Sequence, residues 1–312
     1  MNEAIVETLS RRIGRPYLNQ RLGLEADYEA LVFRPGIRFF HLENWYSVHS
    51  VIRNCLRLAG LYGRGRRNAH RLEIRRHEVA LRGLPPSFDG YTILQLSDMH
   101  IDMDPDTPGT LIERVREVDY DLCVLTGDYR AKTFGAIDST LEGMARLRAH
   151  LKEPVYAVLG NHDSIRMVPG FEALGIRMLL NESVAIDNGD GTVFLAGIDD
   201  AHYYRTDNIE KAALDIPPEA VSILLSHTPE PYRLAAHADF KLMLSGHTHG
   251  GQICLPGRIP LTWDANCPRR MASGRWRYRD MIGYTSVGSG TSIVNARLNC
   301  PPEITLHILR RA

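Results

Sequence analysis

Leu244–Gln252 reads LSGHTHGGQ: the apolar run KLMLS at 241–245 stops at Gly246, and two imidazoles one residue apart, His247 and His249, precede Gly250 and Gly251. If the run is a strand, both histidines fall on one side of the chain just past its end, because side chains of extended backbone repeat every second residue. Two neutral imidazoles aimed at one point make half of a metal site. A histidine pair in a solvated loop has the same spelling, so the motif needs support from elsewhere in the chain.

That support lies upstream, where the same grammar recurs. YTILQLS (91–97) leads into Asp98-Met99-His100, DLCVLT (121–126) into Gly127-Asp128, PVYAVL (154–159) into Gly160-Asn161-His162-Asp163, and VSILLS (221–226) into His227. Each run is short, apolar and rich in β-formers, as a strand buried on both faces reads. Each stops at a carboxylate, an amide or an imidazole. Ligands of an open α/β sheet bind beyond the carboxyl ends of its strands, so five such ends can meet at one crevice although they are distant in sequence.

Composition bounds the class of protein. A chain of 312 residues accommodates a large domain with an appendage, expected here as an accessory segment over 1–82 and a catalytic domain over 83–312. Hydrophobic residues at 44% and charged residues at 24% describe an ordinary globular chain. A formal net charge of zero offers no global field for nucleic acid, and no specific nucleic-acid partner is expected. Cys55, Cys123, Cys254, Cys267 and Cys300 are odd in number and form no CxxC, which argues against a disulfide framework and for a reducing compartment. The opening MNEAIVETLS lacks the apolar core of a secretory leader, and no run approaches the roughly 20 apolar residues of a spanning helix. The expected location is the cytoplasm, with peripheral attachment to the inner face of the cell membrane left open.

Residues 1–43 contain Pro16 and Pro35-Gly36 as breakers and are expected to form one or two short helices. From Trp45 to Tyr62, the positions Trp45, Val48, Ile52, Cys55, Leu56, Ala59 and Tyr62 follow helical spacing, which predicts an amphipathic helix. Arg64, Arg66, Arg67, Arg71, Arg75 and Arg76 follow, and residues 1–90 carry an excess of about six positive charges. This order suits attachment to an anionic membrane surface. The alternative, the commoner use of a surface helix, is that it packs on the catalytic domain with its arginines in water. LEIRRHEVAL alternates as an edge strand. Thr107-Pro108 opens a helix, a second covers about 138–150, and a third surrounds Phe171. Asn188-Gly-Asp-Gly191 turns a hairpin between SVAI and TVFLAG; Pro229 opens another helix, and strands lie near 281–287 and 303–309.

In order and composition, Asp98-x-His100, Gly127-Asp128, Gly160-Asn161-His162-Asp163, His227 and Gly246-His247-x-His249 resemble the signature of the calcineurin-like metallophosphoesterases. The resemblance runs from Tyr91 or thereabouts to the C-terminus. GHTHGGQ, VGSGTS and PPEITLHIL are more loosely similar to the bacterial phosphodiesterase branch, which includes enzymes acting on lipid precursors. The resemblance implies an α/β fold, a two-sheet β-sandwich flanked by helices in four layers (αββα), with two divalent cations at one rim. On that pattern Asp98, His100 and His249 would hold one cation, Asn161, His227 and His247 the other, with Asp128 bridging. Manganese, iron or zinc suit such ligands.

The chemistry asks for this mixture on its own account. Cations roughly 3.5–4 Å apart clamp the attacking and leaving oxygens of an in-line displacement and generate hydroxide near neutral pH. Carboxylates partly neutralise them, while imidazoles and one amide leave positive charge for the phosphate. The resemblance makes His162 the group that protonates the leaving oxygen or stabilises the transferring phosphoryl, with Asp163 fixing its tautomer. An aspartate there could equally cap the following helix.

Arg130 and Arg166 follow metal motifs and are candidates to grip a phosphate, against the commoner solvated arginine. Asp199-Asp200-Ala-His202 is either pocket lining or a polar loop. The expected function is metal-dependent hydrolysis of a phosphodiester, pyrophosphate or phosphomonoester. The basic amphipathic N-terminus and the branch resemblance point to a lipid-linked substrate such as a UDP-diacylglucosamine. The competing enzymes are a nuclease and a cyclic-nucleotide phosphodiesterase; a Ser/Thr protein phosphatase fits poorly, because Gly127-Asp128 runs into Tyr-Arg-Ala instead of an acid-Arg-Gly sequence. Outside the enzymes, a scaffold of the same fold should have lost ligands or His162, and the sequence keeps them.

Overall fold

The apolar runs become the inner strands of two stacked sheets in the computed structural model, which describes residues 3–33 and 46–312. Pro35-Gly36 and Trp45 lie outside the described residues. The chain enters through helices α1 (Glu3–Ile13), α2 (Arg15–Phe33), α3 (Tyr46–Leu58) and α4 (Tyr62–Ala69). The first sheet is built from β1 (Glu73–Leu81), β2 (Thr92–Leu96), β3 (Leu122–Leu125), β4 (Val155–Ala157) and β5 (Arg177–Met178), interleaved with helices α5 (Thr107–Val115), α6 (Asp138–Arg148) and α7 (Val168–Ala173). The second contains β6 (Glu182–Asn188), β7 (Gly191–Gly197), β8 (Ser222–Leu225) and β9 (Leu242–Ser245), with α8 (Ile209–Ala213) and α9 (Tyr232–His237) between them. A short hairpin, β10 (Cys254–Leu255) with β11 (Ile259–Pro260), leads to β12 (Gly274–Tyr278) and β13 (Met281–Thr285), and β14 (Glu303–Arg311) returns to the first sheet.

The strand orders are β1-β14-β2-β3-β4-β5 and β12-β13-β9-β8-β7-β6. β2 to β5 run parallel, as do β7, β8, β9 and β13, so the C-terminal ends of the inner strands share one rim within each sheet. Alternation sorts the side chains. Leu122 and Val124 of β3 face Ile223, Leu225, Leu242 and Leu244 across the sandwich. Cys123 and Leu125 turn outward onto Leu111 of α5, Met144 of α6 and Phe171 of α7. Leu224 and Met243 face outward from the second sheet onto Ala212 of α8 and Tyr232 of α9. Each such aliphatic side chain fully removed from water contributes about 1.5–3 kcal/mol before entropy is counted. The result is the four-layer sandwich that the sequence implies.

Two N-terminal features differ from their sequence reading. Short helices are expected over 1–43, yet α2 has 19 residues. Pro16 lies in its first turn, where a missing N–H costs nothing, and the break belongs to Gly14 at φ +93°. Residues 1–82, set apart as an accessory segment, also supply Leu9, Ile13 and Leu18 to the core beneath the first sheet. They include β1, which pairs with β14 from Glu73↔Glu303 to Leu81↔Arg311. Within the amphipathic helix, Leu56 is buried and Ile52 packs against the cluster of Val294, Ala296 and Leu298. The arginine-dense stretch forms α4, whose Gly65 comes so close to Ala296 that a Cβ there would lie 2.8 Å from the alanine Cβ. Among the described residues, no helix is long and apolar enough to cross a membrane.

Candidate metal centre

The seven candidate ligands follow β2, β3, β4, β8 and β9, and five of them leave the strand in a left-handed turn. Asp98, His100, Asp128, His247 and His249 have φ between +39° and +72°. Side chains with a Cβ occupy that region at a cost of about 1–3 kcal/mol each, which the surrounding structure must overcome. This corrects the extended-chain reading of His247 and His249. They do not converge on one point: the turn sends His249 to Asp98 and His100, and His247 to Asn161, His227 and Asp128.

Acceptors face one another throughout. His100 and His227 each donate Nδ1–H to a backbone carbonyl at 2.8 Å, of Arg130 and Thr126 respectively. A neutral ring so held keeps its lone pair at Nε2. His227 Nε2 then lies 2.9 Å from Asn161 Oδ1 and 3.3 Å from Asp128 Oδ2. His247 Nδ1 is 2.9 Å from the same Asn161 oxygen and 3.2 Å from His227 Nε2. On the other side, His100 Nε2 is 3.1 Å from His249 Nε2, and His249 Nε2 is 3.5 Å from Asp98 Oδ1. Asp128 Oδ2 is also 3.8 Å from His100 Nε2, so its carboxylate stands between the two groups. Lone pairs packed this closely out of water repel unless a proton or a cation lies among them. The donor set fits two divalent ions.

The electrostatics state the same need. Burial opposes charge on His227, yet Asp128 holds that imidazole well above its usual pKa. Burial also works against Asp128, but His227 and His162 keep it well below the usual carboxylate range. Burial and the charges of His202 and His227 push His247 well down, and burial with His100 and Arg297 does the same to His249. Those two rings are neutral and ready to donate lone pairs.

His162 lies at the edge of this centre, with Nε2 4.0 Å from Asp128 Oδ2 and its backbone N–H donating to Asp128 Oδ1 at 3.0 Å. Burial lowers its pKa to about 4 against the pull of Asp128. The role expected of Asp163 needs correction. Its carboxylate accepts the backbone N–H groups of Asp128 at 2.7 Å, Gly160 at 2.8 Å and Tyr129 at 2.9 Å. It ties the β3 and β4 loops together, and the atom at His162 Nδ1 is Thr133 Oγ1, at 3.1 Å. Arg130 is neither solvated nor free for phosphate: it is buried and donates to the carbonyls of Thr133, Gly135 and Ala136. Arg166 is exposed.

Residues 91–251 match the model of the calcineurin-like phosphoesterases. The chain belongs to that family. An uncharacterised metallophosphoesterase of Bacillus subtilis, YkoQ, is 30% identical over 71% of this chain and 84% of its own length. The phosphodiesterase YaeI of Escherichia coli is 28% identical over 60% of this chain and 69% of its own length. A bovine transmembrane protein with a metallophosphoesterase domain is 28% identical over 93% and 69% respectively. This metallophosphoesterase is thus a metal-dependent phosphoester hydrolase of a dimetal family.

Other residues of the phosphoesterase centre were weakly signalled or silent in the sequence. The ring of His202 lies 4.3 Å from that of His247, and its Nδ1 is 2.9 Å from Glu230 Oε1. Burial alone would lower the His202 pKa, but Asp264 and Glu230 push it up to about 10, which makes it a cation beside His247. Thr133 carried no signal. Arg297, fully buried, donates to the carbonyls of Val287 and Gly290 at 2.7 and 2.8 Å and stands 3.2 Å from His249 Nδ1, which fixes the VGSGTS loop against the centre. A cavity of about 290 Å³ opens from Asp128, His162, His247 and His249. Beyond these it is lined by the apolar Ile52, Ile253, Leu261, Trp263, Ile293 and Val294, interspersed with polar residues such as Gln252 and Asp264.

Proposed function

We propose that Asp98, His100 and His249 hold one divalent cation, that Asn161, His227 and His247 hold a second, and that Asp128 bridges them in a hydrolase of phosphodiesters or pyrophosphates. The observation that carries this reading is the meeting of seven buried acceptors in two groups with Asp128 between them. When bound, the cations supply a water acidified toward hydroxide and a positive clamp on the phosphoryl oxygens. Asp128 and Asp98 limit the excess charge, His202 adds a cation at the rim, and His162, whose ring burial keeps neutral in the substrate-free protein, takes up a proton as the anionic phosphate enters and passes it to the leaving oxygen. Thr133 at Nδ1 orients that ring.

The apolar part of the cavity lining supports a substrate whose phosphate carries an apolar group, and the reading extends to a lipid-linked ester such as UDP-diacylglucosamine. Enzyme stripped with a chelator is expected to lose at least about a hundredfold of its rate on bis(4-nitrophenyl) phosphate, and added manganese to restore it. Equal rates with and without metal would sink the reading.

Such a substrate comes from a membrane, and α3 supports delivery from its surface. Ile52 lines the cavity while Val51 and Leu58 on the same helix are 58% and 90% exposed, and Leu255, Ile259 and Leu261 are exposed along the β10–β11 hairpin. Exposed Arg64, Arg66 and Arg67 follow on α4, and basic residues near anionic lipid contribute about 1 kcal/mol each. Deleting residues 1–82 would remove a strand and part of the core, so point variants are the cleaner test. Val51→Glu with Leu58→Glu is expected to abolish co-sedimentation with phosphatidylglycerol vesicles and to spare hydrolysis of the soluble nitrophenyl ester. Binding to vesicles as strong as that of the parent protein would remove the membrane from the account.

A further inference from the structure

Helix α2 reaches the back of the catalytic turn with two charged residues that a helix packed on a core has no need of. Arg21 is fully buried and Glu25 is 5% exposed. Arg21 Nη2 donates to the backbone carbonyl of Asp163 at 2.9 Å, its Nε donates to Asp199 Oδ2 at 3.0 Å, and its Nη1 is 3.0 Å from Glu25 Oε1. The guanidinium stacks 3.5 Å above the ring of Tyr204. Glu25 Oε1 accepts the N–H of Ile165 at 2.7 Å, and Oε2 accepts the hydroxyl of Ser164. One turn earlier, Tyr17 donates to Asp199 Oδ2 at 2.6 Å, as does Thr206.

Desolvating an arginine and two carboxylates costs several kcal/mol per ion before their attraction is counted, and apolar residues would pack as well. The residues they hold are not arbitrary. Asp163–Ile165 continues directly from Asn161 and His162. Asp199 follows β7 and precedes Asp200, whose carboxylate accepts the N–H groups of His202 and Tyr203 at 3.1 and 2.7 Å. One helix therefore joins the loop after β4 in the first sheet to the loop after β7 in the second. The Asn161–His162 turn is gripped from the front by Asp128 and from behind by α2.

We infer that Arg21 and Glu25 are positioning residues for His162, and that α2 is a clamp holding the catalytic turn across the two sheets. This rests on the reading of His162 as the group that protonates the leaving oxygen. A turn released from behind keeps Asp163 on the backbone of Asp128, so the cations stay. What is lost is the aim of the His162 ring, and a misaimed acid matters most for a leaving group that cannot depart unprotonated.

The test compares methyl 4-nitrophenyl phosphate, whose leaving group departs as a stable anion, with methyl phenyl phosphate, whose leaving group needs the proton. In the manganese-loaded full chain, Arg21→Met is expected to lower kcat on the phenyl ester at least about tenfold and on the nitrophenyl ester less than about threefold, with KM and manganese content unchanged. Arg21→Lys, which keeps the charge but not the fork, should recover part of the loss. Hydrogen exchange should speed up in the 160–167 segment and not in β3 or β8. If Arg21→Met does not fold, Glu25→Gln is read by the same criteria, with a smaller split in the same direction. Equal slowing of both esters, or a lowered Tm with unchanged kcat for the folded, metal-loaded protein, would overturn the inference. His162→Ala is the reference. If it fails to discriminate between the esters, the acid role of His162 falls and takes the clamp with it. If it discriminates and the α2 variants do not, the clamp alone falls.

Discussion

Asp128→Ala is expected to lower kcat/KM on bis(4-nitrophenyl) phosphate by roughly a thousandfold or more, the equivalent of about 4 kcal/mol of lost charge stabilisation. It is also expected to leave the protein short of its second cation. Asp128 is the side chain shared by both groups: its Oδ2 lies 3.3 Å from His227 Nε2 and 3.8 Å from His100 Nε2, and its Oδ1 accepts the His162 N–H at 3.0 Å. Removing it withdraws the charge that brings two cations close, frees the turn that carries Asn161 and His162, and leaves Asp98 as the one carboxylate among the remaining candidate ligands. Asp128→Asn separates these effects, since the amide preserves the shape and the acceptor for His162 but not the charge. Metal content by mass spectrometry, measured with kinetics, decides the matter. A fully loaded Asp128→Ala protein working within tenfold of the parent would mean that the bridge is misassigned.

The candidate ligands were legible because each sits where two strong signals coincide. An apolar run such as VSILLS can hardly be anything but a buried strand, and a polar residue at its carboxyl end lies at the rim where sheets bind ligands. The hairpin at Asn188–Gly191 was legible for a similar reason, since its turn chemistry is local. What escaped depends on long-range partners. The buried side of α2 carries Arg21 and Glu25 among its leucines, so no apolar stripe marks it, and a helix of 19 residues passed for short pieces. GRWRY, the edge strand β12, hides Trp276 between arginines after a glycine. GRGRRNAH carries no helical signal of its own, because Gly63 and Gly65 disfavour a helix, and only the close seat on Ala296 explains the second glycine. The partition of His247 and His249 between the two groups came from the family resemblance and not from spacing, because it lies in left-handed φ angles that spacing does not encode. Thr133 gained its place at His162 from the loop that Arg130 folds, and no local pattern announces it.

A single methyl group at Gly160 should be nearly as damaging to the chemistry as losing a ligand, with a smaller effect on the fold. Its φ is ordinary, so backbone strain is not the cause. A Cβ there would lie 2.2 Å from Asp128 Oδ1 and 2.6 Å from the Asp128 backbone nitrogen. Gly160 and Asp128 both donate their N–H to Asp163 Oδ2, at 2.8 and 2.7 Å, so the loops cannot part without breaking the tie that holds them. The overpacking costs about 1–3 kcal/mol of stability, whereas a displacement of about 1 Å at the Asp128 carboxylate costs on the order of a hundredfold in rate. Gly160→Ala should therefore lower Tm modestly and cut kcat at least about a hundredfold. Gly109→Ala provides the contrast. Gly109 lies in α5 with nothing within 4 Å of its added Cβ, and replacing it should raise stability by about 0.5–1 kcal/mol and leave kcat alone. Thermal melts and kinetics on the two variants separate a glycine required by close approach to the centre from one that is merely tolerated in a helix. An active Gly160→Ala enzyme would show that the Asp128 carboxylate can move without harm, and the bridging role would then have to be given up.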